Sequence, residues 1–384
     1  MVTIIARSVR GLEWVAADEI SATLPRASEI AMSSREITFQ LPGLVSPLLG
    51  LRTVDDVFVQ VGRVPGMGTG KQAAAIAAPG IADLDWAGAL AQLGVIRAVP
   101  PHPRIDVVAS LEGRRNYNRF AVENAVGDAL ARRLHGSYLA RTSSGRQAGE
   151  PDLMVRVFVR GTEAVAAAEA APQPLHRRGY KLQSGPGTLH PPMAAALARL
   201  ADPAPAGTVA DPFCGDGTIA IETALSYPAS RVLASDLDDV RLGHAERNAA
   251  SAGVSLTLRQ ADAARLPWPD QSIDAVITNP PWNIAVDARG LLRTSLDRFW
   301  QQLPRLLATD GRLCLISDAQ LDAPAQVKQM GYQLALATQI RLAGRVSHLL
   351  LCAPRDQRPP RIPAGLAGWR RRALAAGLIT EAGF

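Results

Sequence analysis

The stretch that decides the fold is TVADPFCGDGT, residues 208–218. It begins with the apolar pattern of a buried strand, and a helical pattern starts at its last residue. Gly215 and Gly217 allow a sharp turn between the two elements and the close approach of a ligand to the backbone. Ile219 stands where a third close glycine would be needed, and no Gly-Lys-Ser/Thr follows. We therefore expect no pyrophosphate here, because neither the dinucleotide nor the triphosphate fingerprint is complete.

Strands and helices alternate around this loop from about residue 193 onward. We predict helices over 193–201, 218–225, 238–251 and 291–308, and strands over 208–210, 231–235, 255–260, 273–278, 311–317, 332–341 and 347–353. Alternation of this kind is typical of a mostly parallel, doubly wound sheet with helices on both faces. The fold class is therefore α/β, with a Rossmann-like domain in the C-terminal half.

Two acids follow the next two predicted strands. Asp236 lies 19 residues beyond Gly217, where a carboxylate can accept both hydroxyl groups of a ribose. Asp262 follows the third strand, where it or its turn can accept from the exocyclic amine of adenine. A glycine loop without phosphate features and two such acids favour S-adenosylmethionine, whose sulfonium suits an acidic neighbour such as Asp211. Alternatively, Asp236 caps the helix that starts at Leu237, and Asp262 caps a turn.

The segment NPPW, residues 279–282, follows the fourth predicted strand. Loops at this end of an open α/β sheet line the ligand crevice. Pro280 and Pro281 fix the backbone, so the Asn279 oxygen can accept from an exocyclic amine and stabilise positive charge on its nitrogen. Trp282 offers a face for stacking on a base, and the target nitrogen must be planar, as in a flipped base or an amide. The alternative is a rigid proline turn with a buried tryptophan.

The N-terminal half is predicted to contain two α+β units. Residues 1–68 carry strands over 2–6, 36–41 and 57–61 and a helix after Gly11, the beginning of a ferredoxin-like unit; residues 69–172 carry helices over 83–93 and 119–134 and strands over 104–109 and 153–159. A loop-rich linker follows at 173–192 and leads into the Rossmann-like domain at 193–354. The basic tail, residues 355–384, is expected to be solvated and partly disordered.

Two motifs carry a specific resemblance. DPFCGDGT at 211–218 and NPPW at 279–282 resemble motifs I and IV of the amino-methyltransferases. Residues 1–354 resemble the THUMP-domain RNA methyltransferases that form N2-methylguanosine in tRNA, with further similar segments at 11–20, 151–157 and 175–180. The resemblance implies a ferredoxin-like domain, a THUMP RNA-binding domain and a catalytic domain, in that order. It also implies S-adenosylmethionine-dependent methylation of the 2-amino group of a guanine.

The resemblance assigns roles to individual residues. The implied catalytic residues are Asn279, Pro280, Pro281 and Trp282, and the implied cofactor-binding residues are Asp211, Phe213, Gly215, Gly217, Thr218, Asp236, Asp262 and Asn279. Motif IV of the family usually ends in Tyr-Gly, whereas this chain has Trp282 and Asn283. The tryptophan keeps a stacking surface but enlarges it, and the asparagine adds bulk beside the acceptor. The target base therefore stays open.

Basic and aromatic residues alternate in the N-terminal half. Such mixtures can bind phosphates and stack on unpaired bases, although any one arginine could equally lie on a solvated helix face. The THUMP resemblance favours the acceptor region of tRNA as the partner. The expected RNA contacts are Arg104, Arg114, Arg115, Arg119 and Arg178. Arg178 has a second interpretation as a structural residue of the interdomain joint.

Composition sets further limits. The chain has 384 residues, of which 47% are hydrophobic and 20% charged, and this excludes a wholly disordered or collagen-like protein. We find no apolar run long enough to cross a membrane and expect no secretory signal in Met1–Ala6. Three widely spaced cysteines (Cys214, Cys314 and Cys352) exclude a disulfide scaffold and a Cys-x-x-Cys zinc site and fit a reducing cytosol. We expect a cytoplasmic, metal-independent monomer.

Two classes of alternative function stay open. The first keeps the chemistry and changes the substrate to a DNA adenine, an rRNA guanine or a protein glutamine amide. The second is an RNA-binding protein whose methyltransferase domain has lost activity through the change at Trp282 and Asn283. The net charge of +6 permits a polyanionic partner, and the THUMP-like half argues against DNA and protein.

Overall fold

Two β-sheets organise the chain, one of eight strands and one of seven. The computed structural model describes residues 1–141, 149–282, 287–342, 344–356 and 358–381. Asn283, the second departure in motif IV, lies outside the described residues. Within these ranges no helix is long and apolar enough to cross a membrane, and no group of three acidic, histidine or cysteine side chains is placed to hold a metal ion.

The eight-stranded sheet runs through both units predicted in the N-terminal half. Its elements are β1 (Val2–Ser8), α1 (Glu13–Thr23), β2 (Ser28–Ser33), β3 (Glu36–Leu41), β4 (Val54–Pro65), α2 (Ala73–Ala82), α3 (Trp86–Leu93), β5 (Arg104–Leu111), α4 (Arg119–Arg133), β6 (Ser137–Tyr138), β7 (Leu153–Arg160) and β8 (Glu163–Glu169). The strand order is β2-β3-β1-β4-β8-β7-β5-β6. Antiparallel pairing of β4 with β8 joins the two units into one sheet.

The high alanine content of β8 explains why this strand was not predicted. Its sequence is EAVAAAE, which favours a helix on intrinsic propensity. The strand lies between β4 and β7, and its Ala166, Ala167 and Ala168 are fully buried. Tertiary pairing overrides the local preference here, because a strand with neighbours on both sides has its backbone hydrogen bonds satisfied whatever its side chains prefer. The similar alanine-rich segment at α2 does form a helix.

The seven-stranded sheet confirms the Rossmann-like α/β domain. Its elements are α5 (Pro191–Ala201), β9 (Thr208–Asp211), α6 (Thr218–Ser226), β10 (Arg231–Asp236), α7 (Asp239–Ala252), β11 (Thr257–Gln260), β12 (Ile273–Thr278), α8 (Asp297–Leu306), β13 (Leu307–Asp318), α9 (Ala323–Gln329), β14 (Tyr332–Leu342) and β15 (Arg345–Pro354). The order is β11-β10-β9-β12-β13-β15-β14, with β9 to β13 parallel and β15 antiparallel to both neighbours.

Strand order places the two motifs at the ligand-binding edge. After β9 the chain moves to β10 on one side, and it later returns to β12 on the other side. Such a reversal creates a crevice at the carboxyl ends of the two central strands. The glycine loop follows β9 and NPPW follows β12, so they border this crevice.

One helix of this domain begins later than predicted. The helix expected from residue 291 starts at Asp297, because residues 290–292 form a single 3₁₀ turn first. Gly290 has a positive φ of 61°, a conformation that breaks a regular helix at this position. The short α9 was not predicted at all.

The prediction of a disordered tail was wrong. Residues Ala364–Ala375 form α10, which packs against α1 of the N-terminal half. Leu366 and Ala373 are buried in the apolar core of the C-terminal half, which also includes residues of α1, and Trp369 contacts this core and that of the N-terminal half. The spacing of these three residues is helical, and the arginines between them obscured it. Beyond the helix, Glu381 forms a bridge to β14 at Thr338.

This packing makes α10 a stabilising element. Leu366→Ala should lower the free energy of unfolding by about 2–5 kcal/mol, the usual effect of removing a buried leucine side chain. Leu182, 60% exposed, is the matched control, and Leu182→Ala should change the same quantity by less than about 0.5 kcal/mol. Urea unfolding of both variants measures the difference. Equal stabilities would mean that α10 does not pack on the core in solution.

Candidate active site

The glycine loop is held open by backbone conformations that side chains disfavour. Gly215 and Gly217 have φ values of 51° and 83°, and Gly217 is the N-cap of α6. A Cβ atom on Gly217 would lie 3.0 Å from the Cβ of Ala245 on α7. Glycine is therefore required both for the turn and for the close packing of α7 behind it. The loop exposes its backbone to the crevice as a consequence.

Asp236 fastens the end of β10 to this loop. One carboxylate oxygen accepts from the amide of Gly215 at 2.8 Å and the other from the amide of Asp238 at 3.0 Å. The alternative that Asp236 caps α7 is wrong, because the side chain of Asp238 makes that cap by accepting from Val240 and Arg241. Each oxygen of Asp236 keeps a lone pair for a further donor.

Asp262 makes the turn that its alternative interpretation described. Its oxygens accept from the amides of Ala264 at 2.9 Å and Leu291 at 2.8 Å. The second bond ties the end of the crevice to residues 290–292. A Cβ on Gly290 would lie 2.2 Å from a carboxylate oxygen of Asp262, so glycine permits this close approach.

A cavity of about 830 Å³ connects the two motifs. Most of the expected site residues line it, namely Phe213, Gly215, Thr218, Asp236, Asp262, Asn279, Pro280, Pro281 and Trp282. Asp211 and Gly217 do not: Asp211 lies behind the loop, and Gly217 packs against α7. Residues 186–190 of the linker also border the cavity. The structure thus brings nearly all of the expected residues into one crevice.

Three buried polar atoms of the expected site residues can accept a hydrogen bond and have no partner among the described residues. They are Oδ1 of Asn279, Oδ2 of Asp211 and Oγ1 of Thr218. Buried acceptors are nearly always hydrogen-bonded, so each needs a donor or a cation that a ligand could supply. S-adenosylmethionine, which carries a cationic sulfonium, ribose hydroxyls and an amine, offers such groups, and so does the amino group of a target base.

Burial controls the charge of Asp211. The side chain is 1% exposed and accepts from the hydroxyl of Thr278 at 2.8 Å and the amide of Phe213 at 3.2 Å. Burial raises the pKa of Asp211 to about 7, although these two hydrogen bonds oppose the shift and the charge of Asp236 adds to it. Near neutral pH the carboxyl is therefore poised between its two protonation states.

Trp282 combines both interpretations made from the sequence. It is half-buried against the apolar core that also holds α5, and it lines the cavity. Its Nε1 is buried without a hydrogen-bond partner among the described residues. The ring is therefore anchored on one side and available to the cavity on the other.

Asp216 is a site residue that the sequence reasoning missed. The side chain is 1% exposed and accepts from the amide of Gly185 at 2.7 Å and from the hydroxyl of Thr188. Nδ1 of His244 and Nε of Arg241, both on α7, lie 2.9 and 2.8 Å from its Oδ1. Burial would raise the pKa of Asp216, but these bonds hold it below its usual value. Asp216 thus fastens the linker over the glycine loop, and an acid between two loop glycines was the available signal.

The five expected RNA contacts differ in their surroundings. Arg114 and Arg119 are exposed, and Arg119 lies over the ring of Phe120 at 4.8 Å. Arg104 is half exposed but forms a two-pronged pair with Asp152 at 2.9 and 3.0 Å. Arg115 donates to the carbonyl of Gly161 at 2.7 Å and braces neighbouring loops.

The expectation of RNA contact was wrong for Arg178. Its side chain is 9% exposed, and Nε pairs with Glu222 of α6 at 3.0 Å. The other guanidinium nitrogens donate to the carbonyls of Leu175 and Arg52. With all three nitrogens engaged inside the protein, Arg178 is a residue of the interdomain joint.

Comparison with known proteins agrees with this geometry. Residues 178–347 match the family model described as UPF0020, RMKL-like, methyltransferase domain. The tRNA (guanine(6)-N2)-methyltransferase of Thermus thermophilus is 38% identical over 214 residues, 55% of this chain and 61% of that protein. The U6 snRNA (guanine-N2)-methyltransferase of Bos taurus is 27% identical over 223 residues, 55% of this chain and 43% of that protein. The chain therefore spans 61% of the length of the first relative and 43% of the second.

Structural similarity extends over more of the chain. The crystal structure of TrmN from Thermus thermophilus superposes with a TM-score of 0.73 at 28% sequence identity, covering 92% of this chain and 100% of that one. The fold and the crevice are those of an S-adenosylmethionine-dependent methyltransferase domain, and residues 178–347 match the family model of the RMKL-like methyltransferase domain. Over 55% of its length the chain is similar to a tRNA (guanine(6)-N2)-methyltransferase, and over 92% its fold is similar to that of TrmN.

The raised pKa of Asp211 gives a test of the site's electrostatics. The folded protein binds this proton more tightly than the unfolded chain, whose aspartates have a pKa of about 3.9. Stability from this group should therefore fall as pH rises from about 4 to about 7 and then level off. Asp211→Asn cannot ionise, so its free energy of unfolding relative to wild type should rise between about pH 5 and about pH 8.

Urea unfolding at the two pH values, without added ligand, measures this difference. Asp83→Asn removes an exposed carboxylate and serves as the control, with a nearly constant difference from wild type. Parallel pH dependences for Asp211→Asn and wild type would show that the carboxyl is ionised throughout this range.

Proposed function

We propose that the protein transfers a methyl group from S-adenosylmethionine to the 2-amino group of a guanine in tRNA. The observation that carries this proposal is Asn279: its buried oxygen, which has no partner among the described residues, lies at the switch point of the sheet, in a cavity shared with Trp282 and Asp236. The name of the Thermus relative specifies guanine 6 of tRNA. We extend the proposal to that position.

The residues of the crevice divide the work between cofactor and base. Asp236 and Asp262 would hold the ribose and adenine of the cofactor, and Phe213 and Thr218 would border it. S-adenosylmethionine, when bound, supplies the electrophilic methyl group. Asn279 accepts an N–H of the target amine, which turns the nitrogen lone pair toward the cofactor and stabilises the positive charge that develops there. Trp282 stacks on the extruded base.

No strong base is needed at the reacting nitrogen. The amine loses its proton only after the methyl group has been transferred, when the nitrogen is positively charged and acidic. Asn279 contributes an acceptor whose charge does not change with pH, and Pro280 and Pro281 keep it in place. The rate should therefore depend on the position and orientation of this oxygen rather than on its basicity.

The same proposal assigns a role to each part of the chain. A ferredoxin-like domain at 1–68 and a THUMP domain at 69–172 would bind the acceptor region of tRNA, the linker at 173–192 would join them to the catalytic domain at 193–354, and Arg114 and Arg119 are the exposed members of the expected RNA surface. Cytoplasmic location, a monomeric state and independence of metal ions stay predictions.

Methylation of tRNA tests the proposal directly. The purified protein should convert one guanosine of an unmodified tRNA transcript to N2-methylguanosine, identified by mass spectrometry of nuclease fragments. Asn279→Ala should lower the single-turnover rate at saturating tRNA by about 10²–10³, the usual loss for one preorganised polar group. Affinity for S-adenosylmethionine, measured by calorimetry, should change little and so serves as the control.

Each other result selects a different function. Methylation of U6 snRNA but not tRNA would transfer the proposal to the activity named for the Bos taurus relative. RNA binding without methylation would favour the RNA-binding alternative. A wild-type rate for Asn279→Ala would remove Asn279 from the reaction.

The RNA surface has its own test. Arg114 and Arg119 are exposed, so replacing both with alanine should weaken tRNA binding and reduce the log–log slope of affinity against salt by up to about 2, close to one for each phosphate that is no longer neutralised. Arg104→Ala is the comparison, because the pairing of Arg104 with Asp152 should leave the slope near that of wild type. A double variant with the wild-type slope would place the tRNA on another surface.

A further inference from the structure

Arg345 brings a cation to the side of the cavity that the cofactor residues do not use. It begins β15, whose Ser347 pairs with Asp318 at the carboxyl end of β13. Arg345 therefore lies at the same edge of the sheet as the glycine loop and NPPW. It lines the same cavity as Asn279 and Trp282.

Strand order separates Arg345 from the cofactor acids. Asp262 follows β11, Asp236 ends β10 and Asn279 follows β12. On the other side of β12 lie β13 and β15. Neighbouring strands are about 4.8 Å apart, so Arg345 lies on the opposite side of the reacting amine from both acids. That side of the cavity faces the substrate if the proposed function is correct.

A buried carboxylate holds the Arg345 side chain in place. Nε lies 2.7 Å from Oδ2 of Asp318, which is 2% exposed and also accepts from the amide of Gln320 at 2.9 Å. The pair holds the pKa of Asp318 below its usual value, so the carboxylate stays charged. The arginine side chain itself is 40% exposed, and among the described residues its Nη groups have no hydrogen-bond partner, so they can donate to a ligand.

Charge balance distinguishes Arg345 from the other arginines of the cavity. Among the described lining residues, Arg241 pairs with Asp216 and Arg289 lies 3.6 Å from Asp238, and both of these acids line the cavity too. The partner of Arg345, Asp318, is buried behind the lining. Arg345 therefore presents its guanidinium to the cavity, while the carboxylate that pairs with it lies outside the lining.

We propose that Arg345 binds a backbone phosphate beside the target nucleotide, a role that rests on the proposed function. A nucleotide drawn out of a helix keeps its phosphates on either side, and the Nη1/Nη2 edge of a guanidinium matches two phosphate oxygens. Held by Asp318, Arg345 needs little reordering on binding. The contact fixes the depth at which the guanine enters between Trp282 and Asn279.

The test combines variants of Arg345 with a modified substrate. Arg345→Ala should raise the tRNA concentration needed for half-maximal single-turnover methylation by about 10–100-fold, as expected for hydrogen bonds to a charged group. Arg345→Lys should retain part of the binding. Arg358→Ala removes an equally charged side chain that is 74% exposed and near Asp310 at the opposite end of β13, and it should behave as wild type.

A neutral methylphosphonate at one linkage flanking the target guanine identifies the contact. It should weaken wild-type binding by a similar factor and leave Arg345→Ala without further loss, since both changes remove the same interaction. Arg345→Ala combined with Asp318→Asn removes the buried charge that the single variant leaves unpaired. The combined variant should fold with wild-type cofactor affinity and still require more tRNA.

Other outcomes overturn the assignment. A weakened affinity for S-adenosylmethionine in Arg345→Ala, with an unchanged tRNA requirement, would assign the side chain to the cofactor's carboxylate. If the methylphosphonate and Arg345→Ala weaken binding additively, Arg345 does not contact that phosphate and its role is structural. A wild-type protein that methylates no guanine would overturn the proposed function. If the wild type methylates guanine and Arg345→Ala has the same tRNA requirement, only the phosphate contact is overturned.

Discussion

The arrangement of the two halves depends on one buried carboxylate, Glu222. It lies on α6, one turn after the glycine loop, and its side chain is fully buried. It accepts from Arg52 of the N-terminal half at 2.7 Å, and from Arg178 and Tyr180 of the linker at 3.0 and 2.8 Å. A charge buried this deeply needs partners, and separation of the halves would remove Arg52 from it. The helix that begins at the glycine loop is therefore also a helix that contacts the N-terminal half.

Asp216 extends this joint into the cavity. Glu222 binds the first part of the linker through Arg178 and Tyr180, and Asp216 binds the next part through Gly185 and Thr188. Both acids belong to the segment that runs from the glycine loop into α6. The linker residues that border the crevice are thus connected to the N-terminal half through a few charged side chains.

Local patterns predicted the Rossmann-like domain and the lining of its cavity, because alternation and strand-end loops are encoded within short segments. The prediction failed where distant residues decide. Alanine-rich β8 becomes a strand only between β4 and β7, and the arginines of α10 concealed an apolar stripe that needs α1 as its partner. The role of Arg178 depends on Glu222, 44 residues away, and that of Arg345 on Asp318, 27 residues away. No short motif records such pairs.

Charge changes sign across the cavity in the order that methyl transfer requires. Acids lie on the side of β10 and β11, where a cationic cofactor would be held, and Arg345 lies on the side of β13 and β15, where an anionic backbone would enter. Between them stands Asn279, which is neutral. A carboxylate at that place would be drawn toward protonation by burial and by the acids nearby, and a protonated carboxyl would add an O–H donor that competes for the lone pair of the amine. An amide remains an acceptor at every pH, so the reacting nitrogen finds the same partner whether or not the charges around it are occupied by ligands.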